Sequence, residues 1–98
     1  MYELDPTPTF RRDVKKLQKK HYSLEKLERV VDLLAAGGNE KELAVRYSDH
    51  PLSSDSSWKE HRELHVDGPS GDWLLIYRIL QNLLSLVRTG SHKALLGK

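Results

Sequence analysis

The period of the apolar positions changes along the chain, and each change marks an element. Tyr2-Glu3-Leu4-Asp5 alternates and is closed by Pro6 and Pro8, which predicts a short first strand. From Thr9 the period is helical, with Phe10, Val14 and Leu17 at spacings of four and three on one face and basic residues on the others. His21-Tyr22 breaks that helix. Ser23 is placed to cap a second one, whose buried stripe is Leu24, Leu27, Val30, Val31 and Leu34, and Gly37-Gly38 stops it. Asn39 can cap a further turn through Leu43.

Residues 46–57 are polar, rich in Ser and Asp, and predict a loop enclosing His50-Pro51-Leu52. Trp58 to Asp67 alternates as a strand, though many of its positions are charged. Gly68-Pro69-Ser70-Gly71 is a turn. Two apolar strands follow, Asp72 to Leu80 and Leu83 to His92, separated by Gln81-Asn82. That gap has hairpin length, and Asn tolerates positive φ. The order is strand, two helices, three antiparallel strands, an α+β fold of the form β-α-α-β-β-β. The two helices are expected on one face of a small, twisted, mainly antiparallel sheet, leaving the other face open for function. No repeat, low-complexity tract or boundary divides the chain, so a single domain over 1–98 is expected.

Composition narrows the possibilities. The 98 residues include no cysteine, which removes disulfides and thiolate metal sites and fits a cytosolic protein. No apolar leader core opens the chain, and its apolar runs are too short to span a bilayer, so a cytoplasmic location is expected. The formal charge of +2 conceals an asymmetry. Residues 9–29 carry eight basic side chains, including Lys15, Lys16, Lys19 and Lys20, against three acidic ones, a local +5, which leaves −3 elsewhere. Either this face meets an anionic partner, nucleic acid or an acidic protein segment, or it is simply solvated.

Candidate chemistry gathers where the last strand ends. Arg88 and His92 leave that strand near the start of its neighbour at Asp72, so a fixed cation, an imidazole and a carboxylate meet on one sheet edge. This set suits a phosphodiester. An imidazole has an ordinary pKa of about 6.5 and can give or take a proton near neutrality. A guanidinium grips phosphate oxygens through its planar fork. Arg88 either holds the scissile phosphate or forms an ion pair with Asp72. A metal reading would gather His50, His65, His92 and Asp72. No spacing here matches a zinc motif, and neither a metal nor another cofactor is expected.

Four segments in order, Asp49-His50-Pro51-Leu52, Trp58 through His65, Asp72-Trp73-Leu74-Leu75-Ile76-Tyr77 and Arg88-Thr89-Gly90-Ser91-His92, resemble the YafQ branch of the RelE/ParE superfamily of toxins. The likeness runs over nearly the whole chain. It implies the toxin of a type II toxin–antitoxin pair, a ribosome-dependent, metal-independent endoribonuclease that cuts mRNA. The implied partners are mRNA, the ribosome and an antitoxin with an acidic C-terminal segment. By the same resemblance His92 is the principal acid/base residue, with His50 and His65 beside it. His50 is either catalytic or a loop anchor, and Asp72 either a base or a group that orients a histidine. Trp73 either stacks on a base or packs in the core.

Two departures from the family stand out. The Gly68–Gly71 turn is extended, leaving His65 and Asp72 seven residues apart. Leu96 stands where the family commonly has an aromatic ring, whose stacking on a base is worth about 1–3 kcal/mol. The alternative reading is a toxin of the same fold that blocks a protein target such as DNA gyrase. An inactive RNA-binding relative is a third. A pure blocker has no use for three histidines around an arginine.

Overall fold

A computed structural model of the chain describes residues 1–52 and 58–97. Its elements are β1 (Glu3–Pro6), α1 (Pro8–Lys19), α2 (Leu24–Ala36), α3 (Glu40–Tyr47), β2 (His50–Pro51), β3 (Arg62–His65), β4 (Trp73–Leu80), β5 (Leu83–Ser91) and α4 (His92–Leu96). All five strands form one sheet in the order β1-β5-β4-β3-β2. β1 runs parallel to β5 and every other pair is antiparallel. The α+β expectation holds.

Local chemistry explains the boundaries. Thr7 caps α1, its Oγ1 accepting from Phe10 N–H, and Pro8 occupies the first turn, where its missing N–H costs nothing. Phe10 and Leu17 then point inward, with Leu27, Val30 and Leu34 of α2. They meet Leu64, Val66, Leu75, Tyr77, Leu84 and Leu86 from one sheet face in a common core. Each such aliphatic side chain contributes about 1.5–3 kcal/mol when fully buried.

Several expectations are corrected. Ser23 precedes α2 without a side-chain cap bond, and the Asn39 amide donates to Leu33 O instead of capping α3. α3 extends beyond the expected single turn and buries Leu43 alone, too sparse a stripe to announce a helix. In the hairpin Gln81, not Asn82, takes the positive φ, at 56°. The strand expected from Trp58 contracts to Arg62–His65, and His50–Pro51 pairs with its edge where a loop was expected. Residues 53–57 of that loop lie outside the described residues. The tail beyond Ser91 is a short helix, with Ser91 Oγ accepting from Ala94 N–H.

The second sheet face is not open along its length. Residues directly opposite on paired strands share a face, so Glu63 lies with Ile76 and His65 with Leu74, away from the main core. Glu63, Leu74 and Ile76 are buried.

Candidate active site

The sheet register assembles the site. His50 of β2 lies opposite Glu63 of β3, and His65 stands two residues further along the same strand, hence on the same face. At the other end Ser91 pairs with Trp73, so the next residue on one strand, His92, meets the residue before the other, Asp72. His92 Nδ1 lies 2.6 Å from Asp72 Oδ1, and the His92 backbone N–H donates to the same oxygen at 3.1 Å. These two donors hold the Asp72 carboxyl below its ordinary range, the ring bond first and the backbone bond second. The rings of His65 and His92 are 5.3 Å apart, and those of His50 and His65 6.3 Å.

Hydrogen-bond partners assign the ring protons. A carbonyl only accepts, so His65 Nδ1–H donates to Gly71 O at 2.9 Å and His50 Nδ1–H to Ser48 O at 2.6 Å. His92 Nδ1–H faces the ionised Asp72. The Nε2 atoms of His65 and His92 are thereby left for chemistry. His50 Nε2 sits 2.8 Å from Glu63 Oε1. With Nδ1 committed to Ser48 O, Nε2 is the ring nitrogen that meets the Glu63 carboxyl. The second oxygen of Glu63, Oε2, is buried with no hydrogen-bond partner among the described residues.

Of the residues singled out from the sequence, His50, His65, His92 and Asp72 converge. The extended Gly68–Gly71 turn does not pull Asp72 away, and its last carbonyl orients His65. Arg88 is held elsewhere. Its Nε and Nη2 donate to buried Asp13 of α1 at 2.8 and 3.1 Å, so the alternative ion pair with Asp72 is replaced by one with Asp13. Asp13 tightens the Arg88 fork and raises its pKa further.

Trp73 is 3% exposed on the helix side, donates Nε1–H to Thr89 Oγ1 and packs edge-to-face with Tyr22. It is a core residue and offers no stacking surface. Leu96 is half-buried in α4, and Lys15, Lys16, Lys19 and Lys20 are exposed along α1.

Glu63 is the site residue that sequence reasoning passed over. It sat in a charged alternating stretch, and only its register with His50 and Ile76 marks it as buried. Glu63, His65 and His92 each bring one donor atom to within 4.8 Å of the others. This trio, with the orphaned Glu63 Oε2, is able to hold a cation. The metal-binding set considered from the sequence therefore changes, with Glu63 in and His50 and Asp72 out.

Comparison with known proteins identifies the family. A family described as the bacterial toxin of type II toxin–antitoxin system, YafQ, matches residues 2–97. The mRNA interferase toxin YafQ of Escherichia coli strain B is 41% identical over 95 residues, 97% of this chain and 96% of that one. A crystal structure of the E. coli DinJ–YafQ complex contains a chain 40% identical to this one, with a TM-score of 0.77 over 99% of this chain and all of the other. A metal-bound toxin from Helicobacter pylori is 39% identical, with a TM-score of 0.81 over 98% of this chain and all of that one. The chain belongs to the YafQ family of bacterial type II toxin–antitoxin toxins.

Proposed function

We propose that this toxin is a single-domain endoribonuclease that cleaves mRNA on the ribosome in the cytoplasm, using the 2′-hydroxyl as the internal nucleophile. The observation that carries the reading is the convergence of His50, Glu63, His65 and His92 on one sheet face, with Asp72 behind His92. Cleavage needs a group to remove the 2′-hydroxyl proton and another to protonate the departing 5′-oxygen. His92 suits the acid: Asp72 fixes its Nδ1–H and stabilises its cation, leaving Nε2–H for the leaving group. Glu63 suits the base, as the carboxylate that stands 2.8 Å from His50 Nε2 and brings a donor atom within 4.8 Å of His65 and His92. His65, oriented by Gly71 O, lies between them and supports the charge gathering on phosphorus. Arg88 stays paired with Asp13 through Nε and Nη2 and would reach a phosphate oxygen with Nη1, the guanidinium nitrogen that this pair does not use.

The DinJ–YafQ complex supports a cognate antitoxin for this chain too. Its acidic C-terminal segment would cover the exposed lysines of α1. No described helix is long and apolar enough to cross a membrane. The same-fold alternative, a blocker of a protein target, leaves the histidine cluster without a use.

The test is single-turnover cleavage of mRNA on programmed ribosomes. His92→Ala should abolish it with the fold intact, and Arg88→Lys should retain only part of what Arg88→Ala loses. A fully active His92→Ala protein overturns the assignment. The donor trio favours a second reading, in which Glu63, His65 and His92 would hold a divalent cation. Such an ion would polarise a phosphate oxygen or a bound water. Cleavage that survives EDTA, with the ribosomes kept in separately buffered magnesium, supports the metal-independent reading. Cleavage lost to EDTA and restored by zinc supports the other.

A further inference from the structure

We propose that Asp49, clamped by Tyr77 and Arg62 on the helix side of the sheet, is the positioning residue that holds His50 in the site on the opposite side. The ring of His50 contacts Ser48 O and Glu63 Oε1, but the backbone that carries it has little hold of its own. β2 is two residues long, lies at the sheet edge and is exposed, so its ladder alone leaves a histidine free to swing.

The anchor lies one residue earlier. α3 ends in Ser48, which takes the left-handed conformation at φ 54° and turns the chain back. The Asp49 N–H then donates to Leu43 O at 3.1 Å. The Asp49 side chain is only 5% exposed, and its two oxygens have separate donors. Arg62 Nε donates to Oδ1 at 2.9 Å, and the Tyr77 hydroxyl donates to Oδ2.

Arg62 and Tyr77 are directly opposite each other on β3 and β4, on the core side. The adjacent pair, Glu63 and Ile76, faces the other way. Successive side chains of an extended chain also point to opposite faces, so pinning Asp49 on the core side aims His50 at Glu63. The Ser48 carbonyl completes the hold by accepting His50 Nδ1–H. One register position carries the clamp and the next carries the chemistry.

The inference about rate rests on the nuclease reading, whereas the geometry of His50 does not. Two measurements on the full chain separate them. Tyr77→Phe removes one donor and keeps the ring in the core, and Asp49→Asn keeps the shape and removes the charge. In nitrogen-edited NMR spectra of the free toxin, both substitutions should shift and broaden the His50 imidazole signals while those of His92 stay in place. In single-turnover cleavage, both should lower the rate constant by about ten- to a hundredfold, with the ribosome concentration for half-saturation unchanged.

His50 signals that stay in place in folded Tyr77→Phe protein overturn the proposal. So does a change confined to the melting temperature. If Asp49→Asn fails to fold, Tyr77→Phe decides alone. A wild-type protein that does not cleave RNA overturns the nuclease reading, and the NMR comparison still decides the clamp.

Discussion

Glu63 carries the sharpest conflict between stability and use in this molecule. A buried carboxylate oxygen with no donor among the described residues costs free energy, so under the proposed mechanism the fold gives up stability to keep this group in place. Glu63→Gln should raise unfolding stability by about 1 kcal/mol, measured in urea, while lowering cleavage by at least about a hundredfold. A variant both less stable and fully active would remove Glu63 from the mechanism.

Tyr77 gives a second expectation. Burial, and then its bond to Asp49, raise its phenol pKa well above the ordinary value. A raised folded-state pKa means that its contribution is fully present below about pH 10, where the unfolded phenol titrates, and is lost as pH rises further. Urea midpoints should fall more steeply above about pH 10 in the wild type than in Tyr77→Phe.

Between elements, α1 packs against the part of β5 that β1 no longer pairs. β1 pairs with β5 only as far as Leu86, after which the register skips Val87 in a bulge. The edge N–H of Thr89 would be orphaned there. Asp13 accepts it at 3.1 Å and binds Arg88 with the same carboxylate, so a helix side chain replaces the missing strand. Asp13→Ala should therefore cost about 3 kcal/mol in urea unfolding. It should also free the Arg88 guanidinium. A loss within the range of an ordinary surface change, under about 0.5 kcal/mol, would contradict this role.

Taken together, the charge distribution separates two faces. The basic α1 surface is solvent-exposed, and the histidine cluster lies on a different side of the sheet from the helix layer. Reversing charge at Lys15, Lys16, Lys19 and Lys20 should slow association with ribosomes and with the antitoxin, and flatten the salt dependence of both. Cleavage by molecules already bound should be little changed. If neither association rate moves, the basic helix is a solvated surface.

What the amino-acid order determined by itself is the layer plan and much of the site. Helical spacing at Phe10, Val14 and Leu17, the Gly37-Gly38 stop and the two apolar runs around Gln81-Asn82 are local signals, read within a turn or a pleat. Hairpin length brought the end of β5 close to Asp72, and the bulge that skips Val87 then shifted the register by one, so that His92 and not Ser91 meets it. Tertiary structure decided the rest. Glu63, Asp49 and Asp13 are ordinary surface-type residues in the sequence, and each is buried because a partner distant in the chain supplies its hydrogen bonds: His50, Tyr77 with Arg62, and Arg88 with Thr89. Trp73 shows the converse, a ring matched to a family position that the pleat turns into the core. Periodicity reports which face a residue takes, but only strand pairing determines which charges find each other. Burial of a charge depends on that meeting.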